Sequence, residues 1–211
     1  MKHPLFLATL MMSGIATSVA AQSLEDLSVE AGLSTLGVYI APKFDVAPKW
    51  QARVPLYLGS VSDTFDVDGN DVAGKFTSNS IALMADYAIG NAGFRLSGGV
   101  SFGGYKLEGS ASNLTIEGNT YSGSFSAELK QKNEIAPVLA VGYTLPLGEN
   151  WGIVAEIGAR ITSLEISTTG QDLIADAAER AQFNADLAQA NRDLSDVKFL
   201  PFVTLGVSYN F

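Results

Sequence analysis

Apolar and polar residues alternate one for one along most of this chain. From residue 197 to 211, Phe199, Pro201, Val203, Leu205, Val207, Tyr209 and Phe211 share one side. Lys198, Thr204, Gly206, Ser208 and Asn210 share the other, where Leu200 and Phe202 are apolar exceptions. A period of two places successive side chains on opposite faces of a strand. The same alternation recurs from Trp50 to Gly59, Ser80 to Tyr87, Phe94 to Gly103, Glu134 to Tyr143 and Trp151 to Thr162. Runs of about ten residues with one apolar and one small, polar face suit a wall between lipid and a polar interior. Seven strands follow from the pattern, at roughly 35–44, 48–65, 72–89, 93–110, 128–145, 151–168 and 197–211.

Single-chain bacterial barrels close with an even number of antiparallel strands. An eighth strand is therefore expected before residue 35. We place it at Leu27–Gly32, turning at Leu33-Ser34-Thr35. The competing position is a hairpin at Leu114–Ser122, around Glu117-Gly118-Asn119-Thr120, which we place in a loop above the membrane. The connections alternate in length. Asp45 to Pro48, Gly90 to Gly93 and Leu147 to Asn150 are tight turns, while longer loops run near 66–71, over 111–127 and over 170–196. Trp50, Tyr87, Phe94, Tyr143, Trp151, Tyr209 and Phe211 fall beside the short turns. Amphipathic rings at one level predict an aromatic girdle at the periplasmic interface. The fold expected is all-β: an eight-stranded antiparallel transmembrane barrel with one helical extracellular loop.

With apolar faces turned to lipid, the inward set includes Glu30, Lys43, Arg53, Asp86, Arg95, Glu134, Glu156, Arg160 and Lys198. Buried charges need partners, so the near balance of signs predicts ion pairs filling the lumen. An eight-stranded barrel has an interior that side chains just fill. The residues expected to form that network, as structure and not as a catalytic site, are Arg53, Asp86, Arg95, Glu134, Glu156, Arg160 and Lys198. A narrow ion path gated by those pairs is the alternative. The helical loop is expected over Gly170–Asp196, where Leu173, Ala177, Phe183, Leu187 and Leu194 recur at near-helical spacing. Asp172 and Asp176 favour its start through the helix dipole.

Composition adds compartment and exclusions. Met1-Lys2-His3, the apolar stretch Pro4 to Ile15 and the small residues Ala16 to Ala21 predict a signal peptide over residues 1–21, with the barrel domain at 22–211. No later apolar run approaches the length of a membrane helix. Removal of the leader leaves 12 basic against 22 acidic residues and a formal charge of −10. That excess argues against nucleic acid, whose phosphates need Lys and Arg. The chain has no cysteine, and its one histidine, His3, leaves with the leader. No cofactor and no metal is expected. The oxygens at Asp66, Asp68, Asn70 and Asp71 suggest calcium, but glycine stands fourth and Thr77 twelfth, so an Asp-Gly turn is the better reading.

Three segments carry a resemblance: Gly93–Gly99 (GFRLSGG), Ile135–Gly142 (IAPVLAVG) and Lys198–Phe211, with its K-x-x-P-x-V-x-L-G-x-S-Y-x-F pattern. They resemble the small OmpA/OmpX-type outer-membrane β-barrels of Gram-negative bacteria. The resemblance implies a monomer in the outer membrane with both termini periplasmic, among lipid and lipopolysaccharide. Tyr209 and Phe211 would serve as the terminal assembly signal that the barrel-assembly machinery recognises. Enzymatic barrels of this size with known mechanisms use a histidine base, which is missing from residues 22–211. The function expected is a non-enzymatic, porin-like cell-envelope barrel with a filled lumen and a structural or surface-interaction role. A narrow channel for small solutes or ions is the alternative, and a carboxylate-based lipid or glycan hydrolase is the third class.

Overall fold

The computed structural model describes residues 27–67, 70–116 and 119–211. The proposed leader, Asp68-Gly69 of the calcium-like run and Glu117-Gly118 of the competing hairpin lie outside the described residues. Eleven strands, β1 (Leu27–Ser34), β2 (Gly37–Ala47), β3 (Trp50–Arg53), β4 (Leu56–Val67), β5 (Asn70–Ile89), β6 (Phe94–Ile116), β7 (Asn119–Gln131), β8 (Ile135–Leu147), β9 (Trp151–Ile161), β10 (Leu164–Thr169) and β11 (Phe199–Asn210), make one antiparallel sheet. Three pairs run end to end: β3 with β4, β7 with β8, and β9 with β10. The result is eight staves. β1 pairs with both β2 and β11, and β5 with β6, so the eight staves close into a ring that has no edge over its lower part. The eighth stave is the expected one, although its turn lies at Thr35-Leu36, between Ser34 and Gly37.

The alternation fixes which face looks in. In β8, Ala136, Val138 and Ala140 are buried while Ile135, Leu139 and Val141 are exposed. In β9, Gly152, Val154, Glu156, Gly158 and Arg160 are buried against exposed Trp151, Ile153, Ile157 and Ile161. Leu200 and Phe202, the apolar exceptions of the last strand, are both buried, and Phe202 packs inside with Tyr39, Tyr57, Met84 and Val138. The outward belt is apolar all round, with Leu33, Leu58, Leu83, Leu96, Leu139, Ile157 and Leu205 each more than half exposed. So large an exposed apolar surface marks a face made for lipid. At one end, Trp50 meets Tyr87 with ring centroids 5.0 Å apart, Phe94 meets Tyr143 at 4.7 Å, and Trp151 meets Tyr209 at 4.8 Å. Phe211 continues the row against Tyr209 at 5.1 Å.

Two expectations need correction at the other end. Residues 111–127 are not a loop: β6 runs to Ile116 and β7 starts at Asn119, paired from Ile116↔Asn119 downward. The expected continuous staves at 48–65, 128–145 and 151–168 each break, at Val54-Pro55, Lys132–Glu134 and Thr162-Ser163. The last two breaks lie level with each other, since Lys132 N–H donates to the Ser163 carbonyl at 2.9 Å. Above this rim only β4, β5, β6, β7 and β10 continue, as a five-stranded flap. Its polarity is reversed. Val61, Phe76, Leu107, Leu129 and Ile166 form a row, in register, on the face that carries buried Tyr57, Ser78 and Ser80 lower down. Ser62, Lys75, Glu108, Glu128 and Ser167 form the next row on the other face. Outside lipid the wall no longer needs an apolar exterior, and this hid the strands from a pattern search tuned to one.

The long connection is helical over a shorter span than expected. A left-handed Gly170 (φ 94°) leads into a 3₁₀ turn at Gln171–Leu173, and α1 then runs Ala177–Asp196. No residue of α1 is fully buried, but Phe183, Leu187 and Leu194, three of the residues at near-helical spacing, lie on a half-buried face, while Leu173 and Ala177 are exposed. Polar contacts add to this. Asn191 accepts from Ile166 N–H at 2.9 Å and donates to its carbonyl at 2.8 Å, which caps the open edge of β10. Among the described residues no helix is long and apolar enough to cross a membrane.

Asp176 is the helix N-cap, accepting from Ala178 N–H at 2.7 Å and Glu179 N–H at 3.0 Å. Those two N–H groups, Glu179's first, hold its carboxyl below the usual aspartate range. A depressed carboxyl stabilises the folded helix above its ordinary pKa and loses that contribution as pH falls through the lowered one. The Ala178 and Glu179 amide resonances should therefore titrate with a midpoint below that of a free aspartate, and Asp176→Asn should flatten both curves.

Candidate functional site

Inward-pointing charge gathers at one level of the lumen. β1 supplies Glu30, β2 Tyr39 and Lys43, β3 Arg53, β5 Asp86, β6 Arg95 and Ser97, and β9 Glu156. Each lies on the inward phase of its strand. Glu30 is fully buried and takes three cations. Its Oε1 accepts from Lys43 Nζ at 3.0 Å and Arg95 Nη1 at 2.6 Å, and its Oε2 accepts from the Tyr39 hydroxyl at 2.5 Å. Arg53 Nη1 stands 3.6 Å from the same oxygen.

Arg53 crosses the lumen. Its Nη2 donates to Glu156 Oε2 at 2.6 Å and Asp86 Oδ1 at 3.2 Å, its Nη1 donates to the Tyr39 hydroxyl at 2.8 Å, and its Nε lies 2.8 Å from Asp86 Oδ2. Arg95 completes the ring through Glu156 Oε2 at 2.9 Å. Three carboxylates thus face one ammonium and two guanidinium groups. The set is neutral, and its members bond across six strands. Gly142 makes the room: a Cβ there would come within 2.6 Å of Arg95 Nε.

From this layer the rings of Tyr39, Tyr57 and Phe202 continue in tilted and edge-on contact, with centroids 5.3 Å and 6.2 Å apart. Arg160 lies over them, its guanidinium 5.6 Å from the Tyr57 ring centre. It donates to Ser80 Oγ at 2.6 Å and Gln131 Oε1 at 3.3 Å. Four residues along β9 from Glu156, it stands about 13 Å away by strand rise. Cation–π contact and hydrogen bonds hold it, not a carboxylate.

Of the seven residues expected in the network, Arg53, Asp86, Arg95 and Glu156 come together. Arg160 is inward but in another layer. Glu134 and Lys198 are corrections: both are exposed. Glu134 sits in the break before β8 begins at Ile135, and Lys198 precedes β11 at Phe199 and donates to the Ser195 carbonyl. A period-two count run through a chain break keeps the parity and loses the direction. Glu30 and Lys43 had the right parity, but they fell on or beside the least patterned strand and were not among the seven. Tyr39 was missed, since a tyrosine in an apolar run carries no sign of lumen or lipid.

The comparisons place this geometry in a known architecture. Crystal structures of Acinetobacter baumannii CarO2 and CarO superpose with TM-scores of 0.60 and 0.59, at 18% and 19% identity. The matches cover 88% and 90% of this chain and 98% and 100% of theirs. The chain has the fold of an outer-membrane β-barrel. Identity this low carries the fold alone. No family model and no curated protein matches the chain. In this barrel, among the described residues, no group of three acidic, histidine or cysteine side chains is placed to hold a metal ion.

Removing one member of a buried ion network strands the others. Glu30→Ala should lower unfolding stability by about 3–5 kcal/mol, and Glu134→Ala should change it by less than about 0.5 kcal/mol. Urea unfolding of the refolded barrel followed by tryptophan fluorescence measures both. Equal effects would refute the assignment of Glu30 as the hub.

Proposed function

We propose that the chain is a non-enzymatic outer-membrane barrel whose lumen is plugged by side chains and whose role is structural or surface-contacting. The observation that carries this reading is the six-charge layer of Glu30, Lys43, Arg53, Asp86, Arg95 and Glu156, neutral as a set and bonded from wall to wall. A recess of about 330 Å³ enters from the girdle end and meets Lys43 and Arg95 in its lining. Ions following it would have to break several buried pairs to pass. The carboxylates are held by guanidinium and ammonium groups, which leaves no free acid–base pair for hydrolysis.

The same reading gives an orientation. The girdle, the tight turns, Leu27 and Phe211 share the periplasmic end; the flap and α1 face outward. Above the apolar belt, Lys106 and Lys130 make exposed pairs with Glu108 at 2.9 Å and Glu165 at 3.2 Å. Such mobile surface pairs exchange readily with lipopolysaccharide phosphates. The closed ring favours a monomer, and the final strand with Tyr209 and Phe211 is the segment offered to the barrel-assembly machinery. The eight staves and the filled interior support kinship with the small OmpA/OmpX-type barrels.

The refolded protein should be silent in a planar bilayer while showing the heat-modifiable migration of a folded barrel. Reproducible single-channel steps from the unmodified protein would overturn the plug and establish a narrow channel.

A further inference from the structure

The reversed polarity of the flap creates a second feature, independent of the plug. A cleft of about 240 Å³ lies where the 3₁₀ turn and the start of α1 fold against β7 and β10. Val72, Ala111, Phe125, Ala127, Ile174 and Phe183 give it an apolar body, and none of its lining residues is ionisable. The segment that covers it is built to do so. Gly170 takes a left-handed φ of 94°, and a Cβ there would meet the Ser124 carbonyl at 2.6 Å. Ile174 is 2% exposed although its neighbours in the connection are open.

Two polar atoms in the lining are unspent. Thr168 Oγ1 and Gln171 Oε1 are buried with no hydrogen-bond partner, whereas the neighbouring Ser126 and Thr169 hydroxyls satisfy each other at 2.7 Å. A buried acceptor left unmet is costly, and one bond to a guest would recover that cost. The volume equals that of about eight waters, yet apolar walls hold water poorly and accept ring-sized guests. Apolar walls with a few convergent polar groups are the usual composition of a small-molecule site.

We propose that this extracellular cleft binds a small uncharged amphiphile, with an apolar ring in contact with Phe125, Ile174 and Phe183 and a hydroxyl donating to Gln171 Oε1 beside Thr168. The absence of charge from the lining excludes phosphate groups and carboxylates as the recognised end. It also separates this site from the charged lumen layer, which uses none of the same residues.

The test uses 4-fluorophenol, and fluorobenzene as its donor-free counterpart, on the refolded barrel in amphipol, read by ¹⁹F line broadening. Unmodified protein should give saturable binding of 4-fluorophenol. Ala127→Leu and Ala111→Leu fill the cleft and should each weaken it by about tenfold or more. Gln171→Leu should weaken it by about fivefold, the worth of one hydrogen bond, and leave fluorobenzene unaffected. Heat-modifiable migration identifies which filling variant is folded, and either one suffices. If both misfold, Gln171→Leu decides alone. Non-saturable uptake, or equal binding by unmodified and cleft-filled barrels, would mean partition into the amphipol and overturn the site. Fluorobenzene binding as tightly as 4-fluorophenol would overturn the assignment of the polar end.

Discussion

A closed barrel of eight staves leaves room inside for side chains and little else, and every charge placed there must find its counter-charge in that space. Glu30 is where this constraint is met. Its two oxygens collect Lys43, Arg95 and the Tyr39 hydroxyl, with Arg53 close by, and through the two arginines the layer reaches Asp86 and Glu156. Much else is arranged around it. Gly142 lacks a side chain so that Arg95 fits, and Ser97 offers Arg53 a further acceptor at 3.3 Å. The first stave, the shortest and least patterned full stave of the ring, carries the hub residue. A strand with little lipid-facing signal is thus tied to the rest by its one inward acid.

A second constraint shapes the upper half. Lipid demands an apolar exterior only over the thickness of the membrane. Beyond the rim marked by Lys132, Ser163 and the left-handed Gly103 the exterior turns polar, and the apolar residues of the five-stranded flap turn inward. The flap needs something to cover that face and to protect its free edge. The connection from β10 to β11 supplies both: Ile174 and Phe183 lie against the apolar face, and Asn191 caps the backbone of Ile166. The helix buries no residue fully but lays one half-buried face, with Phe183, Leu187 and Leu194, towards the flap, so it acts as a strap.

These two regions suggest a division of labour along the axis. The lower barrel is filled by side chains, and its charged layer is neutral as a set. The upper flap is layered, with Thr168 Oγ1 and Gln171 Oε1 unmet beside an apolar cleft. In the lumen layer, atoms without a hydrogen bond such as Arg53 Nε and Asp86 Oδ2, 2.8 Å apart, still face an opposite charge; in the cleft they face apolar walls.

The sequence by itself determined the wall. Period-two alternation located seven staves, strand parity demanded the eighth, and the spacing of Trp50, Tyr87, Phe94, Tyr143, Trp151 and Tyr209 marked one rim. These features are legible because lipid on one side and a filled lumen on the other impose a repeating local rule on each strand. Reading was weaker where that rule lapses: β6 and β7 above the membrane looked like loop, and Glu134 and Lys198 kept inward parity at positions where the strand had already stopped. Only the tertiary structure decided which inward charges meet. Arg53, Arg95, Asp86 and Glu156 share a layer and Arg160 does not, because the stagger of the staves sets the height of each residue and alternation carries no information about height. The cleft under Ile174 and Phe183 was likewise beyond the sequence, since it exists only where a connection folds back across β5, β6 and β7, more than forty residues away.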